Sequence, residues 1–126
     1  MPFPVYDFTD SEGKSVIALW RNGLTKRDKG ALDSKLNMLA LNGTGLSRGL
    51  LAGPINKTKH IYKLIIHADT MLRPMLCKGP FDPNSDFTLL LGAKEIQFKL
   101  VPGPEEALKN RDILLGDKSR RKLHEW

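Results

Sequence analysis

A chain of 126 residues and 14.1 kDa has the size of one domain and should bury roughly two-thirds of its unfolded surface, so 40% apolar residues can close a modest core. One Cys excludes an internal disulfide and no apolar run approaches the ~20 residues that cross a bilayer, so a secreted disulfide-held module and an integral membrane protein are ruled out. The net charge of +6 favours polyanionic partners, but segments divided at 56/57 and 102/103 carry +2, +3 and +1, so any basic patch must be made by folding.

The first element predicted is a short strand over Pro4 to Phe8, where Asp7 alone breaks the apolar run Val5, Tyr6, Phe8. Asp10 or Ser11 can cap a helix whose stripe is Val16, Trp20 and Leu24, widened by Ile17 and Leu19, with Gly23 at its end. Thr25 followed by Asp28 resembles a capping box with Asp in place of Glu. A second helix follows, with Leu32, Leu36, Leu39 and Ala40 on one face and a stop at Gly43. Its opposite face carries Lys26, Arg27, Lys29 and Lys35 with Asp28 and Asp33. Two helices so closely joined predict an antiparallel hairpin laid on one sheet.

Gly43 to Lys59 is rich in Gly and small polar residues and reads as an irregular connection. Ile61 to His67, Met71 to Cys77 and Phe87 to Leu91 are strand-length apolar runs that predict an antiparallel meander. Pro74 inside the second run requires an edge position or a bulge, because it cannot donate to a ladder. Gly92 to Leu100 alternates as a strand at Ile96, Phe98 and Leu100 but begins like a loop, and both readings stay open. Pro104 suits the first position of a helix whose first turn holds Glu105 and Glu106 and which ends near Leu115 at Gly116. The basic tail, 117–126, is expected to fray or add one turn. The plan is α+β: strand, helical hairpin, three-stranded antiparallel meander and C-terminal helix, in a single domain over 1–126.

The amino-terminal stretch has neither a basic leader nor an uninterrupted apolar segment before a cleavage site, and the chain reads as cytoplasmic. Sequons at Asn42-Gly43-Thr44 and Asn56-Lys57-Thr58 would matter only in a secretory lumen. The glycines of Gly43 to Gly49 fail the dinucleotide fingerprint, and no Lys-Ser or Lys-Thr closes a phosphate loop. Asp82, Asn84 and Asp86 match the first calcium-loop ligands, but Phe87 and Ala93 stand where Gly and Glu are required. His60, His67 and Cys77 lack the paired spacing of a zinc site, and Cys77 reads as core. No Ser lies in a nucleophile elbow, and neither Trp20 nor Trp126 belongs to an aromatic-basic stripe. No metal or cofactor is expected.

What stands out is a set of cations on the predicted sheet and its rim: Lys63, Arg73, Lys78, Lys94 and Lys99, with His67 and Glu95 close in sequence. A solvated sheet face would also need polar residues at alternate positions. The element order, with IYKLIIH, MLRPMLCKG, DFTLLLGAKEIQFK and the helix EEALKNR, resembles the RelE/ParE toxin superfamily, particularly its phage-derived branch. The likeness covers most of the chain as pattern and about forty to fifty residues, within Ile61 to Arg111, as text.

That resemblance implies a RelE-like domain and a type II toxin that cuts mRNA, usually on the ribosome, and is silenced by an antitoxin protein. A sister branch poisons DNA gyrase. Arg73 matches the central-strand Arg that holds the scissile phosphate, and Lys94 and Lys99 match basic residues after the last strand. Two departures are plain: Met75 and Leu76 stand where a tyrosine is often found, and Gly92-Ala93 stands where a His would follow the last strand.

Metal-free RNA cleavage needs a base for the 2′-hydroxyl, cations for the phosphate and an acid for the leaving oxygen. Glu95 or His67 would be the base, Arg73, Lys94 and Lys99 the cations, a Lys with a pKa lowered by neighbouring cations the acid, and Lys63 and Lys78 would bind RNA. This requires the Arg73, Lys94 and Lys99 head groups to converge. The alternatives on the same fold are a non-catalytic gyrase inhibitor and a phage accessory nucleic-acid-binding protein.

Overall fold

In the computed structural model, which describes residues 3–46, 49–55, 60–81 and 86–126, a strongly apolar stretch of sheet is covered on both faces by helices. Ser47 and Arg48 of the glycine-rich loop, the Asn56-Lys57-Thr58 sequon, and Asp82 and Asn84 lie outside the described residues. Strand β1 (Val5–Phe8) is followed by α1 (Val16–Asn22) and α2 (Lys26–Asn42). Next come a 3₁₀ turn (Gly43–Gly45) and the short strand β2 (Leu51–Ala52). The apolar runs then give β3 (Tyr62–Leu64), β4 (Ile66–His67), β5 (Met71–Leu72), β6 (Met75–Lys78) and β7 (Phe87–Leu91). The chain ends with the hairpin β8 (Lys94–Ile96) and β9 (Lys99–Val101), helix α3 (Pro104–Gly116) and β10 (Arg121–Leu123).

Among the described residues these strands make two sheets, of order β10-β1-β7-β6-β3-β2 and β4-β5-β8-β9. β1 runs parallel to β7, while β7, β6 and β3 are antiparallel neighbours. Alternation along β7 divides the core: Phe87 and Leu89 join Ile17, Leu32, Leu36 and Leu39 of the helical hairpin, while Leu90 joins Ala107 and Leu114 of α3. Each fully buried leucine contributes about 1.5–3 kcal/mol.

The predicted strands at Ile61–His67 and Met71–Cys77 are each divided between the two sheets. Pro74 sits where the second run leaves the small sheet for the large one, and the β6–β7 register shifts just after it, between Met75 and Leu76. A residue without an N–H is tolerated there because no ladder bond is needed at a crossover.

The first helix starts later than expected. Asp10 Oδ1 accepts from the N–H groups of Glu12 and Lys14, closing a turn instead of capping, and Ser15 caps α1 by accepting from Ala18 N–H. At α2 the capping box is half formed. Thr25 Oγ1 accepts from Asp28 N–H, but the Asp28 carboxylate leaves the helix to accept from Asp69 N–H at 2.9 Å and from the Thr70 hydroxyl at 2.7 Å. Asp28 is therefore 1% exposed, not part of the solvated face, and fastens α2 to the β4–β5 turn.

Burial pushes the Asp28 carboxyl up, but the Thr70 hydroxyl and N–H, the Asp69 N–H and the Lys94 charge outweigh it and hold the group below its ordinary value of 3.8. A carboxylate depressed in the folded state adds stability above the ordinary value and loses it as pH falls through the folded one. Asp28→Asn should therefore lower stability by about 1–3 kcal/mol at neutral pH, with a difference from the parent that shrinks as pH falls below the ordinary carboxylate range. Urea midpoints of both proteins across the acid range check this; parallel curves would contradict it.

Candidate functional site

The small sheet collects all five residues expected to act in catalysis, but on two faces. Cross-strand pairs Ile66 with Leu72 and Leu72 with Lys94 put these side chains on the helical-hairpin face, and alternation places Ile96, Lys99 and Val101 there too. His67, Met71, Arg73 and Glu95 take the other face. Lys94 and Lys99 thus share a side that Arg73 does not.

Arg73 is 3% exposed. Its Nη1 donates to Leu72 O at 2.8 Å and to Ile66 O at 3.3 Å, and its Nε lies 3.4 Å from Glu95 Oε1. The expected convergence of Arg73 with Lys94 and Lys99 is not the observed arrangement, because strand-end carbonyls and an internal carboxylate occupy the guanidinium. What the pair does provide is a fixed Glu95 carboxylate, whose side chain keeps 22% exposure. His67 is exposed on the same face.

Lys63 and Lys78 lie on opposite faces of the large sheet. Lys63 pairs across with Met75 on the α3 side, whereas Lys78 Nζ rests 4.8 Å above the Tyr62 ring on the other. The departure at Gly92 has a steric cause: a Cβ there would run into the Trp20 indole.

A second constellation comes from the tail. Instead of fraying, 121–123 pair antiparallel with β1 as β10. Arg121 explains much of the docking: its guanidinium lies 3.8 Å from the Tyr6 ring centroid, pairs with Asp86 at 3.1 Å and donates to Thr88 Oγ1. Arg120 covers Phe8, and Lys118 covers Phe81. These tail cations hold the segment down by cation–π and ionic contacts. Burial pushes the neighbouring Cys77 thiol up to about 11, so it is an inert core thiol as expected.

On the other side of β1, His124 Nδ1 lies 2.8 Å from Asp7 Oδ1, and Asp7 Oδ2 accepts from Ser15 Oγ at 2.7 Å. They line a cleft of about 370 Å³ with Arg21, Asp33, Lys122 and Trp126, whose ring meets the His124 imidazole edge-on at 4.7 Å. Ser15 is no nucleophile: its oxygen donates to Asp7, caps α1 and does not meet the imidazole. Asp7 fixes the ring. The sequence held one signal for this cleft, an Asp interrupting an otherwise apolar strand.

Among the described residues no three His, Cys, Asp or Glu side chains are placed to hold a metal ion, and no helix is long and apolar enough to cross a membrane. Fold and site together define a basic α+β protein with a helix-covered sheet, an Arg-held carboxylate on a small second sheet and a His–Asp cleft at the docked tail. Compared with family models, curated proteins and solved structures, the chain gives no match.

Proposed function

We propose that this chain is a RelE-like toxin of a type II toxin–antitoxin system, a metal-free endoribonuclease that cleaves mRNA on the ribosome and is silenced by a separate antitoxin. The observation that supports the reading is the Arg73–Glu95 pair, which sets a partly exposed carboxylate beside a buried guanidinium on a chain whose sequence resembles that family. Glu95 takes the proton of the 2′-hydroxyl, the O2′–P bond forms, and the P–O5′ bond breaks. The leaving oxygen takes its proton from His67 on the same face or from water. The convergence of Arg73, Lys94 and Lys99 that the sequence reading required is absent, so none of the three stabilises the reacting phosphate here: Arg73 is a positioning residue, and Lys94 and Lys99, on the other face, meet the RNA backbone away from it.

The burial of Arg73 favours a second reading, because a guanidinium already satisfied by protein groups is not free to grip a scissile phosphate. In that reading the fold is a non-catalytic binder directed at DNA gyrase. Brief induction in cells separates the two. The ribonuclease reading predicts growth arrest with new transcript 5′ ends and unchanged plasmid supercoiling. The gyrase reading predicts intact transcripts and altered supercoiling, and that result would reject the first.

A further inference from the structure

The β8–β9 hairpin turns through Gln97 and Phe98, with Ile96 paired to Lys99 across the turn. Both turn residues have left-handed backbone, φ 49° at Gln97 and φ 65° at Phe98. Two-residue turns of this kind favour Asn and Gly, which reach positive φ at little steric penalty. A bulky residue there is strained, and a strained position is normally over-determined by its surroundings. Nothing of the kind holds Phe98, which is 98% exposed. The phenyl ring gains no burial from the fold in return for the backbone it imposes.

The surroundings of that ring have a definite chemistry. Lys94, Ile96, Lys99 and Val101 share one hairpin face, with Ile96 and Val101 each about half exposed. No acidic side chain of β8 or β9 stands on that face, since Glu95 points to the other and is held by Arg73; Asp28 of α2, which feels the Lys94 charge, is buried and committed to Asp69 and Thr70. β9 is also the outer strand of its sheet. An exposed aromatic ring at the tip of a hairpin that carries two cations on one face suits a single-stranded nucleic acid: bases stack on the ring, and phosphates meet the ammonium groups. A duplex would keep its bases stacked inside and offer none to the ring.

We propose that the 94–101 hairpin is a single-stranded RNA-binding finger in which Phe98 stacks on an unpaired base while Lys94 and Lys99 contact the adjoining backbone. This rests on the reading of RNA as the target and adds the element that captures it, apart from the Glu95 face. Stacking on any base makes the contact tolerant of sequence.

The test is fluorescence anisotropy of the full chain with a short fluorescein-labelled oligouridine carrying 2′-O-methyl groups, which can bind but has no free hydroxyl to react. Phe98→Gly should weaken binding roughly 5- to 150-fold. It should also raise the melting temperature, because glycine relieves the left-handed position. Phe98→Trp should bind at least as well as the parent. Unchanged affinity in Phe98→Gly, or no binding by the parent, overturns the finger. Lost toxicity in Phe98→Gly with unchanged RNA affinity would put a protein under the hairpin and also overturn it. If the binding contrast holds while an mRNA under translation stays uncut, the finger stands and the ribonuclease reading falls.

Discussion

Arg73→Ala is expected to lose about 3–5 kcal/mol of stability, a large part of the roughly 5–15 kcal/mol that holds a domain of this size together. Truncation strips the donors from Leu72 O and Ile66 O and leaves Glu95 without its counter-charge. Because Glu95 still reaches water, the loss should fall toward the lower end of that range. A lysine keeps the charge but not the planar fork, so Arg73→Lys should be intermediate. Urea unfolding checks this, and an Arg73→Ala midpoint equal to the parent's would contradict it. It follows that loss of toxicity in Arg73→Ala is not proof of phosphate contact. Glu95→Gln, which keeps an acceptor oxygen for Arg73, is the informative variant.

Asp7→Ala is expected to release the tail. Both carboxylate oxygens are in use, and the Asp7 and His124 side chains are 4% and 7% exposed. Removing the carboxylate leaves Ser15 Oγ and His124 Nδ1 without that partner, at a loss of about 2–4 kcal/mol. The effect should be local. Hydrogen exchange of the 121–123 amides should accelerate in Asp7→Ala, while amides in the middle of α3 keep the parent's protection. Unchanged exchange at 121–123 would show that the ladder with β1 and the Arg121 contacts hold β10 without Asp7.

The helical hairpin was legible in the sequence because its signals are local: leucines at helical spacing from Leu32 to Leu39, a threonine cap at Thr25, and glycines at 23 and 43. Pro104 marked α3 for the same reason. β10 was not legible, since Arg121, Lys122 and Leu123 look like a solvated tail. What makes them a strand is a set of partners such as Asp7, 117 residues from His124. The division of Ile61–His67 was hidden too, because a continuous apolar run does not say which sheet each residue joins.

Arg73 was the most consequential misplacement in the candidate site. In MLRPMLC it reads as one of the cations of the predicted sheet and its rim, but Pro74 marks the passage between sheets, where the carbonyls of Ile66 and Leu72 accept from the guanidinium. The separation of Arg73 and Glu95 from Lys94 and Lys99 depends on pairing register, which the sequence does not display.

The central claim, that Glu95 held by Arg73 is the base for RNA cleavage, is tested most directly by primer extension on an mRNA being translated in a cell-free reaction. Parent protein and Glu95→Gln are each added after their urea midpoints have been matched. The parent should introduce new 5′ ends and Glu95→Gln should leave the message whole; cleavage by Glu95→Gln at the parent's rate, or an intact message with the parent, would contradict the claim.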